Sequence, residues 1–107
     1  MIVVHLLDEE TAGRWPVTGE FLPDSLAKEG FVHLCLPEQV DGVRARFFAG
    51  RSAIAIVLDA ARFGSPLRFE DSYGHGSFPH LYGAIPVAAE QRRVVLKPGE
   101  RWSDQER

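Results

Sequence analysis

Apolar positions fall along the chain in short blocks separated by turn residues, and the blocks differ in period. Ile2-Val3-Val4-His5-Leu6-Leu7 is a nearly continuous apolar run rich in β-branched residues. It predicts a strand buried on both faces. Asp8 follows as a cap for a short helix, with Glu9 and Glu10 suited to its first turn and Ala12 and Trp15 on one side. Pro16 disfavours helix at Trp15. Val17 to Leu26 mixes glycine, proline and polar residues and predicts a loop, held to the core by Trp15 and Phe21. Gly30 to Cys35 predicts a second strand. Pro37 and Glu38 then suit the first turn of a helix. Val40, Val43, Phe47 and Phe48 recur at near-helical spacing, and Gly50 ends that helix.

Ala53 to Leu58 is the clearest buried strand. Asp59 to Phe63 predicts a single turn ending at Gly64. Pro66 to Glu70 alternates, with Leu67 and Phe69 on one face and Arg68 and Glu70 on the other. Asp71 to Ser77 carries two glycines and predicts a mobile loop. His80 to Ile85 reads as strand or extended turn, and Arg92 to Leu96 as a last strand. Lys97 to Arg107 is a polar tail, frayed at its end. Strands at both ends and a helix near the middle predict an α+β domain: a twisted, mostly antiparallel sheet with one main helix. Residues 1–107 form one domain, with a core over about residues 2–96.

Charge narrows the function classes. The net charge is −3. Residues 1–50 carry four basic and eight acidic side chains, and residues 51–107 carry eight and seven. Neither half has the basic excess of a protein held on phosphate backbones, so no nucleic-acid partner is expected. No apolar run is long enough to span a membrane and no signal segment opens the chain, so no membrane partner and a cytoplasmic location are expected. Cys35 is the single cysteine. Between Leu34 and Leu36 it reads as a small buried hydrophobe.

Three of the four histidines occupy segments that otherwise read as buried: His5, His33 and His80. A buried imidazole without a partner forfeits on the order of 1–3 kcal/mol. These rings therefore form either a satisfied polar network inside the core or the lining of a pocket. Glu70 ends a strand beside a glycine-bearing loop. It is either a solvated carboxylate paired with Arg68 or a group that stabilises a developing cation. His80 and Tyr82 share one side of the rigid Phe78-Pro79-His80-Leu81-Tyr82-Gly83 segment and offer a flat surface and hydrogen-bonding atoms. No close histidine pair marks a metal site, and no metal is expected. His75 lies in the glycine loop. Gly-x-Ser-x-Gly is absent, and Gly74-His75-Gly76 precedes no helix pattern.

Glu29-Gly30-Phe31-Val32-His33-Leu34-Cys35, Gln39-Val40, Leu58-Asp59, Leu67-Arg68-Phe69-Glu70 and Phe78-Pro79-His80-Leu81-Tyr82-Gly83 together resemble the DUF952 family of small bacterial proteins. The resemblance runs over roughly residues 2 to 95. It implies an ADP-ribosyltransferase-like fold, in which a strand histidine contacts ribose, a second strand residue meets nicotinamide, and a later glutamate supports the reaction. His5, His33 and Glu70 fall in that order and are the implied catalytic set. His80, Tyr82 and Arg68, read from their own segments, are expected to supply the ligand contacts around that set. Leu6 stands where a glycine is usual, and Cys35 where a serine is usual. No resident cofactor is implied; NAD is the candidate substrate. The alternative is a non-catalytic module for a small metabolite or a protein, as a monomer or as a homodimer through Phe47, Phe48 or Trp102.

Overall fold

The computed structural model describes residues 1–105. Its frame is β4 (Ala53–Asp59), whose first six residues are buried, as a continuous Ala-Ile-Ala-Ile-Val-Leu run requires. Strand β1 (Ile2–Leu7) pairs antiparallel on one side, with Val4 opposite Val57 and His5 opposite Ile56. On the other side lies β8 (Glu90–Leu96), antiparallel, with an irregularity between Val57 and Leu58.

A second sheet has the order β3–β6–β5, from Val32–His33, Ser77–Leu81 and Leu67–Asp71. Strands β5 and β6 form a hairpin whose turn is the predicted glycine loop. Asp71 closes that turn by accepting from the amides of Gly74 (2.7 Å) and Gly76 (3.3 Å). A third pairing joins β2 (Glu20–Phe21) to β7 (Ile85–Pro86). The described residues thus form three antiparallel sheets, not the single sheet expected. The two larger ones meet at a bridge between Val4 and Cys35.

Among the described residues, four α-helices accompany the sheets. Helix α1 (Glu9–Ala12) is capped as predicted: the Asp8 carboxylate accepts from the Thr11 amide at 2.7 Å. Helix α2 (Asp24–Glu29) and strand β2 overturn the predicted loop at Val17–Leu26. Its acidic first turn, Lys28 in the last turn and left-handed Gly30 (φ 86°) are ordinary helix-end chemistry. That helix end also shortens the predicted strand at Gly30–Cys35 to Val32–His33. The main helix α3 (Val40–Phe47) follows a 3-10 turn at Pro37–Gln39. Helix α4 (Trp102–Gln105) gives the described part of the tail a regular element, while the end expected to fray, residues 106–107, lies outside the described residues. Trp102 is only 3% exposed, packed with Val4, Val40, Val57 and Leu96, and its amide donates to Asp41. A tryptophan placed there is core, which removes it from any dimer surface.

Candidate functional site

Strands β3 and β6 bring together two histidines that lie far apart in the chain. His33 is the register partner of His80. Their ring centroids are 5.3 Å apart, with planes at 76°. Phe31, two residues before His33, stacks on His80 at 4.2 Å and meets the edge of His33 at 4.9 Å. Tyr82 closes the same side at 5.4 Å from Phe31.

Each imidazole is fixed by a carboxylate. On β5, Arg68 is the register partner of His80, so Glu70 lies one same-face step along the strand. Glu70 Oε1 accepts from His80 Nδ1–H at 2.9 Å and from the Tyr82 hydroxyl at 2.6 Å. The Tyr82 hydroxyl, then His80, hold the Glu70 carboxyl below its ordinary range, and the same contact raises Tyr82. The Arg68 guanidinium lies over the Tyr82 ring at 5.3 Å. With Nδ1–H committed to a carboxylate, Nε2 is the atom that carries the lone pair in the neutral His80 ring. That atom is buried without a hydrogen-bond partner among the described residues.

The second unit repeats this chemistry with different parts. Glu29, the last residue of α2, accepts from His33 Nε2–H at 2.7 Å. Its other oxygen accepts from the Tyr73 hydroxyl. Tyr73 first and His33 second lower the Glu29 carboxyl, and Glu29 raises Tyr73. Tyr73 adopts φ 52° in the β5–β6 turn, a left-handed backbone uncommon outside glycine. Its ring lies 6.1 Å from His33, at 28°. A cleft of about 280 Å³ opens here, lined by Glu29, His33, Phe47, Ser72 and Tyr73. A smaller apolar slot of about 100 Å³ shares His33 and Phe47 and runs toward Leu34, Cys35 and Val43.

His5 does not join this cluster. Its Nδ1–H donates to the backbone carbonyl of His33 at 3.0 Å, and its ring neighbours Phe21. Burial pushes its pKa down to about 4, so it is neutral at pH 7. Its Nε2 is buried without a partner among the described residues. His5 lines a separate concavity of about 250 Å³ with Thr11, Arg14 and Asp24. The implied His5–His33–Glu70 set is therefore split. His33 meets Glu70 only by way of His80, and His5 holds the strand that carries His33.

The sequence analysis assigns no site role to Glu29, Tyr73 or Phe31. A lone aromatic in the Asp71–Ser77 loop was the available signal for Tyr73. Glu70 is spent on His80 and Tyr82 rather than on Arg68, whose guanidinium lies over the Tyr82 ring. His75 is exposed in the turn. Cys35 is 3% exposed, and burial pushes its thiol up to about 12, which makes it inert packing. Among the described residues, no three His, Cys, Asp or Glu side chains group as a metal site, and no helix is long and apolar enough to cross a membrane.

The fold has solved counterparts. Two crystal structures of protein CC0527 from Caulobacter crescentus, one of them a double mutant, superpose with TM-scores of 0.82 and 0.81. Each is 24% identical over 98% of this chain and 97% of the other. The solution NMR structure of CC0527 gives a TM-score of 0.74 at 26% identity, over 90% and 84% of the two chains. No curated protein matches. The model of DUF952, a protein of unknown function, matches residues 6–92, which takes in both carboxylate–imidazole units. The chain belongs to the DUF952 family.

Proposed function

We propose that the His33–His80 cluster binds a small molecule combining a flat ring with hydroxyl groups, and that NAD or a related ribosyl compound is that class. One observation carries this reading: two imidazoles, each hydrogen-bonded to its own carboxylate, converge on Phe31 beside an open cleft. Core histidines satisfied for stability alone need no such cleft. The ligand class comes from the ADP-ribosyltransferase-like fold that the family resemblance implies. In this reading His33 faces the ring of the ligand, and His80, Tyr82 and Arg68 frame the site. Glu70, kept ionised by its two donors, supports transfer or hydrolysis of the ribosyl group by stabilising positive charge that develops on the sugar. His5 acts through the backbone of His33.

The test is a thermal-shift series with NAD, ADP-ribose and nicotinamide. A ligand at ~100 times its dissociation constant stabilises the folded chain by about 2.7 kcal/mol. A shift with a ribosyl compound that disappears in His33→Ala supports the reading. No shift with any of the three overturns it.

The exposed Phe47 and Tyr73 rings beside the cleft favour a second reading, a non-catalytic binding module for a metabolite or a protein. Unchanged ligand binding by Glu70→Gln, with no turnover by either form, would select it.

A further inference from the structure

The two carboxylate–imidazole units look alike but differ in what they leave free. His80 is 3% exposed at its side chain, locked between strands, with Phe31 stacked on its face. Its spare nitrogen points at no solvent. His33 is 35% exposed at its side chain and lines the cleft. Its Nε2–H is committed to Glu29, so in the neutral ring Nδ1 carries the lone pair. His5 is nearly buried, and its Nδ1–H is committed to a carbonyl.

We infer that His33 is the residue that exchanges a proton with the molecule bound in the cleft, and that Glu29 is its positioning residue. The inference rests on the reading that this cleft is the binding site. In the transfer, an O–H bond of a ligand hydroxyl or a bound water breaks and an N–H bond forms at His33 Nδ1. The electron pair stays on oxygen, which becomes the better nucleophile. The positive charge gained by the ring is balanced by Glu29, already bonded to the opposite nitrogen, and the proton returns by the same path. Glu29 also fixes the ring's rotation, as an acceptor on one nitrogen aims the other. The lining sets the ligand chemistry. Glu29, His33, Phe47, Ser72 and Tyr73 offer a carboxylate and an imidazole acceptor but no lysine or arginine. A ribose hydroxyl suits this wall, and the diphosphate of NAD or ADP-ribose would lie outside it. Tyr73 donates to the same carboxylate across the cleft, so it ties the β5–β6 turn to the group that aims His33.

Diethyl pyrocarbonate acylates imidazoles through their lone pair and so reads this property without any ligand. The full chain is treated at neutral pH and the four histidines are followed by peptide mass mapping. His75, exposed in its turn, is the internal reference. His33 is expected to react well ahead of His80 and His5. Glu29→Ala removes the charge that favours the protonated ring and frees Nε2, so the His33 rate relative to His75 is expected to rise about threefold, the scale of a solvent-screened ion pair. Glu29→Gln keeps an acceptor without the charge and is expected to fall between. Far-UV circular dichroism and melting check that each variant folds, and Glu29→Gln carries the comparison if Glu29→Ala does not. His33 reacting no faster than His80 overturns the inference. So does a His33 rate that is unchanged or lowered in the folded Glu29 variants. Failure of every ribosyl compound to bind would strike the proposed ligand class while leaving this measurement standing, so the two failures are distinct.

Discussion

His33 and His80 sit opposite each other across the β3–β6 pair, rings 5.3 Å apart and nearly perpendicular. Two imidazolium charges at that separation would repel, and each ring instead has its own carboxylate. Their surroundings divide the roles: one ring is packed, the other open.

That division predicts unequal stability effects. His80→Ala empties a packed position under Phe31 and strips Glu70 of a partner. It should cost about 2 kcal/mol or more. His33→Ala removes a partly exposed side chain and should cost under about 1 kcal/mol. Urea denaturation of the two variants checks this. Equal losses would mean that His33 is a core residue after all.

A second prediction concerns acid. The folded His5 has a pKa of about 4, lowered by burial, while the unfolded residue titrates near 6.5. Below pH ~6.5 the unfolded chain takes a proton that the folded chain refuses. Stability attributable to His5 is therefore complete above that pH and is lost as pH falls toward 4. The whole step is worth about 3 kcal/mol. Glu29 and Glu70, with lowered carboxyls, add their own losses only at more acid pH. Urea melts at pH 7 and pH 4.5 measure the slope. His5→Asn keeps a donor for the His33 carbonyl and removes the titration, so its slope should be flatter. A slope identical to that of the native chain would refute the assignment.

The segment after Tyr82 depends on a glycine for space. A Cβ at Gly83 would lie 2.0 Å from Ser65 Oγ and 2.5 Å from Ser65 Cβ. Gly83→Ala should destabilise the chain by about 1–3 kcal/mol through overpacking. Because the clash includes Cβ, Ser65→Ala should not rescue it and Ser65→Gly should. Thermal melts of the two double variants decide.

What the sequence made legible was whatever a local pattern encodes. The runs Ile2–Leu7 and Ala53–Leu58, the cap at Asp8 and the helix through Val40, Val43 and Phe47 each announce themselves within a few residues. Helix α2 did not, because its six residues carry no apolar stripe and no buried position. Its better signature was terminal: Lys28 and Glu29 followed by Gly30. Trp102 was hidden by polar neighbours, although a lone large aromatic in a polar tail is worth burying. The site was half legible. His33, His80, Tyr82 and Glu70 were visible as unusual residues in strand-like segments. Their mutual arrangement was not, because it depends on the β3–β6 register, a pairing between residues 47 positions apart. The same long-range pairing separates His5 from the ring of His33 while bonding it to the His33 backbone.

The bridge at Val4 and Cys35 has a mechanical consequence. The two larger sheets meet there through Val4 N–H to Cys35 O at 2.8 Å and Cys35 N–H to Val4 O at 2.9 Å, with the His5 ring adding one bond beside them. Beyond that seam the sheets are held by core packing, with Val32 and Leu81 of one against Val3, Ile56 and Leu58 of the other. His33, His80 and Glu70 stand on one sheet, and Phe47 stands on α3, which packs against β1 of the other. The gap between His33 and Phe47 is therefore set by how the two sheets pack, so a core substitution between them would reach the cleft without touching its walls.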